Sequence, residues 1–128
     1  MTNSIQPTVY QRLGPEKLHI LVTTFYNHVA KHPELAPIFP SDLTETAERQ
    51  YKFLTQFFGG PDLYSREHGH PMLRARHLPF EITPTRARAW IECMQEAMGD
   101  VGIENELQEE MLARLQFTAQ HMVNTLDN

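Results

Sequence analysis

The sequence contains a single cysteine, Cys93, and this scarcity excludes several kinds of site. One thiol cannot build an internal disulfide framework, an all-cysteine metal centre or a covalent cofactor attachment that needs paired thiols. A chain without disulfides is typical of the reducing cytosol, so we expect a cytoplasmic protein.

Long apolar runs, basic stripes and strand-like alternation are missing as well. No apolar stretch approaches the roughly 20 residues needed to span a bilayer, so no membrane association is expected. The formal net charge is -5, and basic residues form no continuous stripe, which argues against nucleic-acid binding. Without period-two alternation or hairpin signals, we expect an all-α protein. The 128 residues, with 41% hydrophobic side chains, suffice for a single domain spanning 1–128.

Helical periodicity covers most of the chain. Caps, prolines and glycines predict four long helices. They span 15–31, 42–58, 83–99 and about 104–125. The second begins at Asp42 and Glu45, whose spacing resembles a capping box. The span 61–82 contains three prolines and a glycine and is predicted to form only one short helix, at about 71–77. An irregular span of this length inside a domain usually has a function or a packing partner.

Several polar side chains occupy helix faces that should be buried. The spacing places Tyr26 on the apolar face of the first long helix and Trp90 on the apolar face of a later helix. Thr46 and Gln50 share a face with Phe53 at helical spacing. A phenol, a hydroxyl, an amide and an indole that converge in an apolar cavity can hold a small polar ligand. The alternative is that each is an ordinary core polar group with a protein partner.

The segment HGHPMLRARH, residues 68–77, gathers three histidines and two arginines in an acidic protein. It is compatible with a metal site, an anion site or a solvated turn. His77 follows a predicted short helix, where one imidazole nitrogen can face a metal while the other bonds to an acceptor. Arg74 and Arg76 favour a ligand that also carries carboxylates.

A zinc site is a further possibility for this segment. His68, His70 and His77 are all residue types that ligate zinc, but a fourth ligand would be needed. The glycine and proline around His68 and His70 favour a turn there.

Several short motifs together resemble the group II truncated haemoglobins, which are short bacterial globins. The resemblance extends from about Tyr10 to Asn124. The motifs lie in that family's order and spacing: FY at 25–26, Phe39-Pro40, AER at 47–49, GGP at 59–61, GHPMLRARH at 69–77 and Trp90. The resemblance implies an all-α, two-over-two helical sandwich around a non-covalent b-type haem.

The resemblance also implies roles for individual residues. His77 would be the proximal iron ligand, and Phe39 would pack on the porphyrin, with Phe53 also in the cofactor site. The remaining implied roles are a distal pocket of Tyr26, Thr46, Gln50 and Trp90, and propionate contacts from Arg49 and Arg76. The chain departs from many relatives in having Gly14-Pro15 at the first corner and Gln50 where a leucine is common.

The function implied is the binding of dioxygen and other small diatomic ligands at ferrous haem iron. Distal hydrogen-bond donors should raise oxygen affinity and slow release, which makes oxygen transport a poor fit. One alternative is a haem redox enzyme, with weak peroxidase-like activity or nitric oxide and oxygen detoxification. Such turnover would need an electron donor, such as an unidentified reductase. Another alternative is a helical interaction module without a cofactor.

Overall fold

The computed structural model describes residues 7–77 and 80–127, and within them it contains α-helices, one 3-10 turn and no strand. The side chain of Arg74 lies outside the described part. No described helix is long and apolar enough to cross a membrane. The predicted all-α class is confirmed. The elements are α1 (Val9–Leu13), α2 (Pro15–Lys31), the 3-10 turn (Ala36–Ile38), α3 (Thr44–Phe57), α4 (Leu63–His68), α5 (Leu73–His77), α6 (Pro84–Val101) and α7 (Asn105–Met122).

The four long helices form two pairs that pack on each other. Helix α2 contacts α3, helix α6 contacts α7, and the most extensive contact joins α2 to α6 across the pairs. Burial of one apolar face of each helix drives this packing. The core between them contains fully buried side chains from every long helix, among them Phe25, Leu54, Met94, Met98 and Met111.

A short first helix docks on the end of α3. Thr8 and Gln11 form a reciprocal capping box at its start. The amide of Tyr10 donates to the carbonyl of Phe58 at 2.9 Å. A Cβ on Gly60 would lie 2.7 Å from the Tyr10 ring, so only glycine leaves room for this contact. The glycine pair just after α3 therefore also allows α1 to pack closely against this end of the helix.

Three helix ends differ from the sequence prediction. Helix α6 continues through Gly99 and ends at Val101, because Gly102 adopts the left-handed conformation (φ +79°) that closes a helix. The expected capping box of α3 does not form. Instead Asp42 Oδ1 accepts a hydrogen bond from the amide of Thr44 at 3.0 Å, and this bond lowers the pKa of Asp42. Helix α7 ends at Met122, before the predicted Thr125.

The prediction of a single short helix between 61 and 82 was wrong, because α4 precedes α5. Helix α4 has no side-chain cap at its start, and Gly69 at its end is predicted from the sequence to be part of a turn. Two side chains of α3 hold α4 in place instead. Gln56 exchanges two hydrogen bonds with the amide and hydroxyl of Ser65, each 2.9 Å, and the ammonium of Lys52 lies 2.7 Å from Glu67 Oε1. A helix this short depends on such tertiary contacts.

The buried face of α6 is displaced slightly from the predicted stripe. Met94 and Met98 are fully buried as expected, but Ala87, Trp90 and Ile91 are only half-buried. Ala87 and Trp90 retain exposure because they line a large cavity, described next.

Candidate functional site

One cavity of about 640 Å³ lies between the helix pairs and is closed on one side by α4, α5 and the segment 80–82. This volume is within the range of roughly 300–1,000 Å³ that is usual for small-molecule and cofactor sites. The residues that the family resemblance assigned to the haem and its ligand all line this cavity: Tyr26, Phe39, Thr46, Arg49, Gln50, Phe53, Arg76, His77 and Trp90.

An aromatic cluster fixes one wall of the cavity. Phe25 is fully buried and meets the rings of Tyr26 and Trp90 edge to face, with centroids 4.8 and 4.9 Å away. Tyr26 in turn meets Phe39 at 5.9 Å. Edge-to-face contacts restrict ring rotation, so the phenol of α2 and the indole of α6 are held in defined orientations.

Three polar side chains of the lining have no hydrogen-bond partner among the described residues. Tyr26, Gln50 and Trp90 form no side-chain hydrogen bond with any described residue. No fully buried side-chain nitrogen or oxygen in the described part lacks a partner, so the polar atoms of these three residues retain some accessible surface. Burial raises the pKa of Tyr26, and the positive charge of Arg49 lowers it by less. The phenol therefore stays protonated and can donate.

His77 occupies another part of the same lining. It is the last residue of α5 and is half-buried. Its carbonyl accepts hydrogen bonds from the amide of Phe80 at 2.9 Å and from the side chain of Asn124 at 3.3 Å. Apolar residues of α3 and α7, including Leu54, Leu115 and Met122, line the cavity with it. The site thus combines two imidazoles, those of His77 and His68, with a mostly apolar surface.

The two arginines differ in their surroundings. The side chain of Arg49 is 48% exposed, and its guanidinium is 3.9 Å from the carboxylate of Glu45, a weak and solvated pair. Arg76 Nε donates to the carbonyl of Pro71 at 2.7 Å, and another of its nitrogens donates to that of His68 at 3.1 Å. A guanidinium has five donors, so Arg76 retains capacity for an anion.

His68 and His70 take different positions, and neither belongs to a metal cluster. The ring of His68 lines the cavity and lies 4.8 Å from that of Tyr64. His70 Nδ1 accepts a hydrogen bond from the amide of Met72 at 3.2 Å, within an irregular turn. Among the described residues no three histidine, cysteine or acidic side chains are grouped to hold a metal ion. The zinc hypothesis for this segment is therefore not supported.

Some lining residues were not found from the sequence. Tyr64 belongs to the unpredicted helix α4 and meets Phe53 edge to face at 5.9 Å. Arg86 lines the cavity while its guanidinium donates to the carbonyls of Glu34 and Glu81 at 3.2 and 2.6 Å. Thr118 and Met122 of α7 also line the cavity.

The donor set of the cavity fits a haem. An imidazole suits the iron, an apolar lining suits the porphyrin, and cations at an exposed edge suit two propionates. Cys93 is 1% exposed and does not line the cavity, so no thiol is available there for covalent attachment.

Comparison with known proteins gives consistent matches. A bacterial-like globin family profile matches residues 8–124. The chain is 63% identical over 115 residues to Group 2 truncated hemoglobin YjbI of Bacillus subtilis, covering 90% of this chain and 87% of that protein. The crystal structure of the group II truncated haemoglobin from Bacillus anthracis superposes with a TM-score of 0.93 at 58% identity, covering 95% and 100%. The truncated oxygen-avid haemoglobin from Bacillus subtilis gives 0.89 at 62% identity, covering 91% and 99%.

Proposed function

Because this chain belongs to the bacterial-like globin family, as a group II truncated haemoglobin of two-over-two fold, we propose that it binds b-type haem and holds dioxygen with high affinity and slow release. The observation that carries the proposal is a single cavity in which His77 shares a lining with the accessible donors of Tyr26, Gln50 and Trp90. Its similarity to a haemoglobin described as oxygen-avid supports the same conclusion.

The residues divide into those that hold the cofactor and those that act on its ligand. When bound, ferrous haem supplies an iron atom with one position for a protein nitrogen and one for a diatomic ligand. His77 provides the nitrogen. Phe39 and Phe53 pack on the porphyrin, and Arg49 and Arg76 pair with its propionates. Attachment through cysteine is excluded, because the single cysteine of the chain, Cys93, does not line the cavity.

Tyr26, Gln50 and Trp90 act on the diatomic ligand. Each offers a neutral donor, because the pKa of Tyr26 is raised and neither the indole nor the amide ionises. A net hydrogen bond contributes about 1 kcal/mol, and about 1.4 kcal/mol changes an affinity tenfold. Two or three such bonds slow the release of a polar ligand by roughly one to two orders of magnitude. Thr46, on the same face of α3, contributes a further hydroxyl.

Absorbance spectroscopy tests the cofactor, and stopped-flow kinetics tests the ligand. Purified protein mixed with hemin should develop a Soret band at one equivalent. The reduced complex should release oxygen more slowly than a variant in which Tyr26, Gln50 and Trp90 are replaced by Phe, Leu and Phe. A protein that leaves hemin free would overturn the haem assignment. A haem complex with release unchanged in the triple variant would overturn only the proposed role of the donors.

A further inference from the structure

The side-chain amide of Asn124 connects the end of the chain to the segment that carries His77. Its Nδ2 atom donates to the carbonyls of His77 at 3.3 Å and Phe80 at 2.9 Å. Its Oδ1 atom accepts from the amide of Ile82 at 3.0 Å and from the hydroxyl of Thr125 at 2.8 Å. A primary amide has two donor hydrogens and two acceptor lone pairs, so the hydrogen-bonding capacity of Asn124 is fully used.

The backbone after α7 strengthens this connection. The amides of Asn124 and Thr125 both donate to the carbonyl of Ile82, at 2.9 and 3.3 Å. Farther along, Asp127 Oδ1 accepts from the amide of Thr85 at 3.3 Å, close to the start of α6. The C-terminal segment 123–127 therefore lies along the connection between α5 and α6 and is attached to it at several points.

The contact with His77 matters because α5 cannot fix its own end. The helix has only five residues, and the last carbonyls of any helix lack partners within it. The His77 carbonyl receives its hydrogen bonds from Phe80 and from Asn124, which is remote in sequence. The orientation of that peptide group limits the ψ angle of His77, and through it the direction in which the imidazole leaves the backbone.

We propose that Asn124 is a positioning residue for His77, setting the angle and height at which the imidazole meets the haem iron. The inference rests on the proposed function, in which His77 is the iron ligand. Asn124 itself is not part of the cavity lining. It acts through three backbone groups: the carbonyls of His77 and Phe80 and the amide of Ile82.

Two substitutions separate the donor half of the amide from its acceptor half. Asn124→Ala removes both, whereas Asn124→Asp keeps an acceptor for Ile82 and loses the donors to His77 and Phe80. Asp127→Ala is the matched control, because it removes a contact of the same C-terminal segment at Thr85 and leaves the His77 carbonyl untouched. Circular dichroism establishes that each variant retains the helical content of the wild type.

The readout is the iron–histidine stretching band in resonance Raman spectra of the ligand-free ferrous holoproteins. We expect this band to shift and broaden in both Asn124 variants, and to match the wild type in Asp127→Ala. Transfer of haem to an acceptor globin should be at least roughly fivefold faster in Asn124→Ala, because the loss of a single net hydrogen bond already corresponds to about that factor and this variant loses several. Hydrogen exchange of the Ile82 amide should accelerate in Asn124→Ala more than in Asn124→Asp.

The outcomes distinguish this inference from the proposed function. If Asn124→Asp is folded, binds haem and shows the iron–histidine band at the wild-type frequency, the positioning role of Asn124 is overturned. The proposed function is then unaffected. The same holds if Asp127→Ala shifts the band as much as the Asn124 variants do, since the effect would then belong to the whole segment. A wild-type holoprotein with no iron–histidine band would instead overturn the assignment of His77, and this inference with it.

Discussion

The indole of Trp90 meets the ring of Phe25 edge to face, with centroids 4.9 Å apart. Phe25 is fully buried in α2, and Trp90 is half-buried at the cavity, so this contact joins the core to the site across the two helix pairs. The indole N–H is consequently oriented by packing. An oriented donor needs no reorganisation to bind a ligand, which gives it more effect than a mobile one.

Trp90→Phe should speed oxygen release by roughly tenfold, because the ring against Phe25 is kept while one donor of about 1–2 kcal/mol is lost. Carbon monoxide, a less polar ligand when bound, should leave at a rate closer to that of the wild type. Stopped-flow measurements on both gases provide the test. Tyr51→Phe serves as a control, since Tyr51 does not line this cavity. Equal rates in wild type and Trp90→Phe would remove Trp90 from ligand binding.

His77→Gly should abolish native haem ligation while leaving space for an exogenous ligand. Added imidazole should partly restore the wild-type ferrous spectrum, because it can occupy the volume vacated by the side chain. His70→Gly is the comparison, since the His70 ring bonds to the amide of Met72 and does not line the cavity. A normal ferrous spectrum in His77→Gly would place the iron ligand elsewhere, and His68 is the other histidine in the described lining.

The double variant Arg49→Ala/Arg76→Ala should release haem a few-fold faster than the wild type, with a larger effect at low salt. Each exposed ion pair contributes only about 0–1 kcal/mol and is screened by ions. Arg66→Ala is the control, because Arg66 pairs with Asp62 at 2.7 Å on the surface of α4 and does not line the cavity. Haem transfer that matches the control at every ionic strength would contradict the propionate contacts.

Gly60→Ala should lower the free energy of unfolding by about 1–3 kcal/mol, the usual range for overpacking. The new methyl group would lie 2.7 Å from the Tyr10 ring and 2.9 Å from the carbonyl of Thr55, so α1 must move away. Gly99→Ala provides the contrast. Its methyl group meets nothing within 4 Å inside α6, and helix propensity predicts a gain of roughly 0.5–1 kcal/mol. Thermal or urea unfolding of both variants measures the difference.

Cys93 should remain unreactive toward thiol reagents at pH 8 until the protein unfolds. Burial, helped by the negative charges of Glu96 and Glu92, raises the pKa of the Cys93 thiol to about 11, so the thiolate is scarce. A raised pKa in the native state favours the neutral form. Stability is therefore unaffected below the ordinary thiol pKa of 9.0 and falls as pH rises from there toward 11.

Between pH 9 and 10 the free energy of unfolding should fall in the wild type and stay constant in Cys93→Ala. This range lies below the ordinary pKa of tyrosine, so tyrosine ionisation does not contribute to the difference. Urea unfolding at half-unit pH intervals compares the two proteins. Rapid labelling of the native wild type at pH 8, or identical pH dependence in Cys93→Ala, would contradict the burial of the thiol.

Local patterns in the sequence located the four long helices, although three of their ends differ from the prediction, and they identified the faces that carry the cavity residues. Helix α2 was predicted at 15–31 and has those bounds, because a proline start and an apolar stripe act within a few turns. The same periodicity placed Tyr26, Gln50 and Trp90 on inward faces. The family resemblance singled out His77, whereas spacing alone left metal, anion and turn interpretations open.

Tertiary contacts decided what local patterns could not. Helix α4 exists because Gln56 and Lys52 of α3 hold it, and α6 passes Gly99 because the left-handed residue that ends it is Gly102. The role of Asn124 is of the same kind. An asparagine just after a helix is ordinary in sequence, and its importance arises only when folding places its amide against the backbone of His77 and Ile82. Hydrogen bonds between residues more than 40 positions apart depend on the packing of whole helices, which no short stretch of sequence encodes.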